Sequence, residues 1–194
     1  GGAQIIGGLA EPDGSGFFAD PRRVLADVAA RFAPLGLTPV TALEFEFYLI
    51  DGANGDGGAP LVPHSTRLGY RPAETEVFAP ERMEDQEPFF ELVDRYCEAQ
   101  EIPIKGALCE FAPGQFEINL GHGADMLAAA DQGVMLKRCI KAAARATGQR
   151  ATFMAKPYAE QSGSGGDEGV HEGDCRSSVS RQFRTGVETK PTEP

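Results

Sequence analysis

Apolar positions recur along this chain with two different periods, and the switches between them mark the elements. Residues 3–9 (AQIIGGL) read as a short strand. Asp20-Pro21 then looks like a helix start, with an aspartate cap and a proline at the first helical position. Val24, Leu25, Val28, Phe32 and Leu35 follow at helical spacing, and Gly36 ends the run. From 38 to 50 (TPVTALEFEFYLI) the period drops to two. Leu43, Phe45 and Phe47 fall on one side and Ala42, Glu44, Glu46 and Tyr48 on the other, as in a strand. Residues 51–60 (DGANGDGGAP) form a turn or loop, and 61–83 carry no period and read as loop.

The second half repeats the alternation of elements. Asp85 is placed to cap a helix running to about Gln100 that buries Phe89, Leu92, Val93 and Tyr96. Strands are expected at 104–111 and 115–120, separated by Pro113-Gly114. Asp125 caps a long amphipathic helix that ends near Gly148. Met135, Leu136, Cys139, Ile140 and Ala143 lie on one face of it, and Lys137, Arg138, Lys141 and Arg145 on the other. A last strand at 150–155 leads through Lys156-Pro157 into the small-residue loop Ser162-Gly163-Ser164-Gly165. Beyond it only Val170, Val179, Phe183 and Val187 are large and apolar. A segment so poor in apolar surface cannot offset its ordering entropy, so 166–194 is expected to be a disordered tail.

Composition narrows the function classes. The 194 residues are one domain's worth, or a domain with a tail, and a 41% hydrophobic content is enough for a core. A net charge of −11 repels phosphate backbones and anionic lipid, which argues against nucleic-acid and membrane partners. The four cysteines have no paired spacing and the three histidines are scattered, so neither a zinc site nor a disulfide framework is expected. Such cysteines are apolar fillers of a reducing compartment. No apolar run approaches the roughly 20 residues of a membrane span, and no signal-peptide pattern opens the chain, so a cytoplasmic location is expected.

The carboxylates carry the chemistry. In Glu44-Phe45-Glu46, residues two apart share a strand face about 7 Å apart. Alone, that pattern is also what an ordinary solvated face looks like. In Glu110-Phe111-Ala112-Pro113-Gly114-Gln115-Phe116-Glu117, a turn at Pro113-Gly114 puts Glu110 directly across from Glu117. Facing like charges are destabilising and call for compensation, most simply by a divalent cation. Oxygen-only ligand sets suit Mg²⁺ or Mn²⁺. An L-Pro-Gly pair is not the favoured two-residue hairpin turn, which leaves room for a wider loop. Four glutamates on strand faces, without enough neighbouring Lys or Arg to pair them, fit a two-metal phosphoryl-transfer site. The Gly163 loop would let backbone approach a ligand closely, although a lone G-S-G is equally the mark of a flexible linker.

Four blocks in order, ALEFEFYLID (42–51), CEFAPGQFEINL (109–120), AADQGVMLKRCIKAAA (129–144) and ATFMAKPYAEQSGSG (151–165), resemble the signature blocks of the glutamine synthetase family. In style they are similar to the branch that γ-glutamylates amines and polyamines. The resemblance covers roughly residues 3–165. It implies an ATP-dependent ligase that phosphorylates the side-chain carboxylate of glutamate and then lets ammonia or an amine displace phosphate. It assigns Glu44 to one of two divalent metals and Glu46, Glu110 and Glu117 to the other, with the Gly163 backbone contacting glutamate. It also implies an α+β catalytic domain, with a curved, largely antiparallel sheet and helices on its outer side, and a homo-oligomer.

The departures are specific. In the family the G-S-G loop runs into Met-His-x-His, whereas here Gly165 is followed by GDEGVHEGDC, and His171 is not a credible substitute. The downstream arginines, a further metal-binding glutamate and the N-terminal β-grasp domain are also absent from this sequence. Residues 1–165 are therefore read as a partial catalytic domain and 166–194 as a non-homologous tail, the product of a frame shift or assembly artefact. The alternative to an active ligase is an inactive, metal-binding fragment of one. An interrupted sheet is expected to leave an unpaired edge or exposed apolar surface.

Overall fold

The computed structural model describes residues 4–53, 55 and 60–165. The expected tail at 166–194 and Cys175 lie outside the described residues. The order of elements is helix α1 (Pro21–Ala29), a 3-10 turn (Ala33–Leu35), strand β1 (Glu44–Asp51), helices α2 (Pro80–Glu84) and α3 (Glu87–Glu98), strands β2 (Ile104–Cys109) and β3 (Gln115–Leu120), helix α4 (Met126–Ala146) and strand β4 (Gln149–Thr152). The four strands form one open sheet in the order β2-β3-β1-β4, with every neighbouring pair antiparallel. The architecture is α+β.

The caps show why the helices start where they do. Asp20 accepts from the Arg22 amide through Oδ1 (3.0 Å) and from the Leu9 amide through Oδ2 (2.9 Å), with Pro21 opening α1. Asp125 Oδ1 accepts from the Ala128 amide at 2.9 Å and starts α4. A two-pronged ion pair from Arg22 to Asp131, at 3.1 and 2.9 Å, fastens α1 to α4.

The sheet buries one face. Phe47 and Leu49 of β1, Phe116, Ile118 and Leu120 of β3, and Phe153 beyond β4 pack against Phe89, Val93 and Cys97 of α3 and Leu136, Cys139, Ile140 and Ala143 of α4. Phe47 contacts Phe89, Phe116 and Phe153, with ring centroids 5.6–6.3 Å apart. Lys137 and Lys141 lay their ammonium groups over the Phe153 ring at 4.8 and 5.3 Å. Gly133 lets α4 approach β1: a Cβ there would come within 2.5 Å of Leu43 Cδ1. The described cysteines, Cys97, Cys109 and Cys139, are free and buried, as fillers should be.

Several boundaries differ from expectation. Residues 4–9 form no strand. Ile5 is largely exposed, and the segment is held by hydrogen bonds, among them the Leu9 amide to Asp20, the Phe17 amide to the Leu9 carbonyl and Arg138 to Gln4. The strand expected over 38–50 begins only at Glu44, and before it a single bridge joins Thr41 to Gly123. β2 stops at Cys109 rather than Phe111, because a wider turn takes over, and β4 stops at Thr152 rather than Ala155.

Asp85 does not cap α3; it follows α2, and Gln86 precedes α3. Its buried carboxylate accepts from Arg67 Nε (3.2 Å) and Arg82 Nη1 (2.9 Å), clamping the loop before α2 to that helix, which takes in residues 80–83 where loop was expected. Arg67 from the loop and Arg82 from α2 supply charges that outcompete a helix amide for the carboxylate. The sheet is open with β2 and β4 at its edges, and Ile5, Leu9, Phe18 and Val134 are exposed apolar residues among those described, none of them on a strand.

The two roles for Asp85 are separable. An Asn keeps capping ability but loses the charge. Asp85→Asn should therefore cost nearly as much stability as Asp85→Ala, about 2 kcal/mol in urea titration, because each takes from Arg67 and Arg82 the buried carboxylate they share, leaving Arg82 only Glu76. A near-silent Asn variant would show a capping role instead.

Candidate metal centre

The packing that buries Phe47 turns the even residues of β1 to the opposite face of the sheet. The register sets Glu46 directly across from Glu117, and Glu44 across from Asn119. This corrects the pairing expected from sequence. On β2, Glu117 faces Leu108, and the strand ends one residue before Glu110. Glu110 instead precedes a four-residue loop, 111–114: its amide donates to the Gln115 carbonyl (2.8 Å), and the Gln115 amide donates to the Ala112 carbonyl (2.9 Å). Pro113 and Gly114 occupy the centre of that inner turn, and Gly114 has φ +76°. Proline followed by a positive-φ glycine is a type II arrangement, which widens the hairpin.

The structure nevertheless brings Glu110 to the pair. One carboxylate oxygen from each of Glu46, Glu110 and Glu117 lies within 4.8 Å of the others. All three side chains are half-buried. Glu44 shares the face but stands outside this group, exposed at the start of β1. Among the described residues no Lys or Arg forms an ion pair with any of the four.

The cost of that arrangement shows in the proton affinities. Burial, with the charges of Glu110, Glu44 and Glu46, pushes Glu117 up to about 7, against a pull downward from Asn119. Glu46 is raised by burial and by Glu110 and Glu44, opposed by a hydrogen bond from the Gly165 amide. Three half-buried, uncompensated carboxylates with converging oxygens suit a hard divalent cation such as Mg²⁺ or Mn²⁺.

The glycine loop is docked on the same face. The Ser164 amide donates to the Ala155 carbonyl (2.8 Å) and the Gly165 amide to Glu46 Oε2 (2.8 Å). The Tyr48 hydroxyl donates to the Ser162 carbonyl, and burial raises that phenol's proton affinity. A Cβ on Gly163 would meet the Ala155 carbonyl oxygen at 2.9 Å, so the position requires glycine. Sequence reasoning missed Tyr48 and Gln115, which hold this loop. A polar tip on an otherwise buried strand position was the available signal for Tyr48; nothing in the pattern marked Gln115, which is 1% exposed.

An open antiparallel sheet with helices on one face and clustered carboxylates on the other defines an α+β domain with a candidate cation site. Residues 18–170 match the family model for the glutamine synthetase catalytic domain, and the chain belongs to the glutamine synthetase family. It is 36% identical over 162 residues to gamma-glutamylputrescine synthetase of Escherichia coli strain K12, covering 84% of this chain and 34% of that protein. It is 31% identical over 173 residues to glutamate–isopropylamine ligase of a Pseudomonas species, covering 84% and 35%. Ligand-free GmaS superposes with a TM-score of 0.63 at 28% identity, over 78% of this chain and 34% of that one. The chain thus spans about a third of the length of the relatives it matches. Among the described residues no helix is long and apolar enough to cross a membrane.

The raised proton affinity of Glu117 has a definite sign. Its contribution to stability is fully present below the ordinary value of 4.5 and is lost as pH rises through about 7. In chelator-treated buffer at about pH 8, Glu117→Gln should melt a few degrees above wild type, for a cross-strand repulsion of about 1 kcal/mol. At about pH 4.5 the difference should vanish in the same calorimetric scans. A variant less stable than wild type at the higher pH would refute the repulsion.

Proposed function

We propose that this chain carries the cation-binding carboxylates and glycine loop of an ATP-dependent ligase that joins the γ-carboxylate of glutamate to ammonia or an amine. The observation that carries the reading is the three-plus-one layout of acids on a single sheet face. Glu46, Glu110 and Glu117 converge within 4.8 Å, and Glu44 stands apart. In this reading Glu46, Glu110 and Glu117 hold one Mg²⁺ or Mn²⁺ and Glu44 contributes to a second. Bound cations would neutralise the polyphosphate of ATP and the transferring phosphoryl group.

The reaction balances in two steps. A γ-carboxylate oxygen of glutamate attacks the terminal phosphorus of ATP, ADP leaves, and γ-glutamyl phosphate forms. The amine nitrogen then attacks the acyl carbon, phosphate leaves, and the nitrogen gives up a proton. The residues present here serve the first step. The carboxylates concentrate negative charge where a cation–nucleotide complex docks, and the rigid Gly163 backbone offers hydrogen-bonding groups to the amino-acid substrate. Two relatives, a gamma-glutamylputrescine synthetase and a glutamate–isopropylamine ligase, favour an alkylamine, and others, named glutamine synthetase, favour ammonia. A homo-oligomer, as in the family, is part of the same proposal.

A second reading is that these 194 residues bind a cation without turnover, because Gly165 is followed by GDEGVH rather than Met-His-x-His. Titration of the chain with Mn²⁺, run beside a phosphate-release assay with ATP, glutamate and putrescine, isopropylamine or ammonia, separates the two. Wild type should bind Mn²⁺, and Glu46→Gln and Glu117→Gln should each weaken binding at least about tenfold. Release that requires glutamate and amine together supports the ligase; binding alone supports the second reading. No Mn²⁺ binding at all would remove both.

A further inference from the structure

Gln115 is a wholly buried amide at the head of β3, and every part of it is engaged. Its Oε1 accepts from the Ala112 amide (3.2 Å). Its Nε2 donates to Glu46 Oε2 (3.1 Å) and to the Gly163 carbonyl (3.0 Å), with Ser164 Oγ at 3.5 Å. That orientation is the one its neighbours demand: a backbone N–H needs an acceptor, while a carboxylate and a carbonyl need a donor. One side chain therefore spans three segments, the turn carrying Glu110, the β1 position carrying Glu46, and the glycine loop.

The consequence for Glu46 is asymmetric. Oε2 receives two donors, Gln115 Nε2 and the Gly165 amide, whereas no described donor reaches Oε1. One oxygen is held by the protein, which fixes the plane of the carboxylate and leaves the other free for a ligand. Without Gln115, Glu46 would keep only the loop amide, and the loop would lose its link to the sheet through Gly163.

We infer that Gln115 is a positioning residue that locks the cation-facing carboxylate of Glu46 and the Gly163 loop into one unit, so that the cation and amino-acid subsites are aligned together. This rests on the cation reading proposed above. Hydrogen-bonding partners behind metal ligands typically change metal affinity by about 10–100-fold when lost.

The test uses the full chain and Gln115→Met, which keeps length and apolar bulk but has no donor. Mn²⁺ affinity should fall about 10–100-fold. Without any metal, exchange of the Gly165 amide hydrogen should quicken by about tenfold, the loss of one hydrogen bond to a charged group, while amides in the middle of α4 keep wild-type protection. Equal Mn²⁺ affinity, or unchanged Gly165 exchange with intact α4, overturns the inference. If Gln115→Met fails to fold, Gln115→Leu, of similar bulk and equally unable to donate, is read by the same two measurements. A wild-type chain that binds no Mn²⁺ would sink the proposed function instead, and the metal-free exchange result would still decide whether Gln115 anchors the loop.

Discussion

Phe47, Phe116 and Phe153 stack beneath α3 and α4, and that contact fixes which way every residue of the sheet points. Side chains alternate along a strand, so burying Phe47 and Leu49 leaves Glu44, Glu46 and Tyr48 no choice but the opposite face. The same applies on β3, where Phe116 and Ile118 go down and Gln115, Glu117 and Asn119 go up. The acidic face thus follows from packing on its reverse side, and the antiparallel register then forces Glu46 and Glu117 into opposition. Hydrophobic burial overrides the modest cost of one repulsive pair, and the repulsion persists as a raised proton affinity.

Much of this was legible in the chain. The period-two run from Leu43 places the glutamates on one face without reference to any structure. The capping aspartates at 20 and 125 announce α1 and α4 because each precedes a helical repeat and has no competing partner in view. Asp85 fails by the same logic: its true partners, Arg67 and Arg82, sit in an aperiodic stretch whose path no local pattern encodes. The facing of Glu110 and Glu117 failed for a related reason. It rests on a two-residue turn, whereas Gly114 enables a wider one that shifts the β2–β3 register and puts Leu108 across from Glu117; Glu46 faces Glu117 from the other side, on β1. The acids were identifiable as residue types at a spacing; their partners depended on turn geometry.

Gln115 illustrates what remains hidden. A glutamine after Pro-Gly is compatible with a solvated strand start, and its burial is set by a loop that arrives 48 residues later in the chain, at Gly163. Polar groups that satisfy one another across distant segments leave no periodic trace, yet the low dielectric around them makes each bond matter more.

The strand order β2-β3-β1-β4 interleaves early and late segments. β1 lies between two strands that are made long after it, and the glycine loop that closes on Glu46 comes later still. Pairings over such sequence separations carry a large loop-closure cost and form slowly relative to local helices. During synthesis the acids of β1 must therefore wait, solvated and apart, until almost all of the described chain has emerged. Cation capture would then report that the sheet had finished assembling, which makes the centre a late marker of folding as well as a candidate place for chemistry.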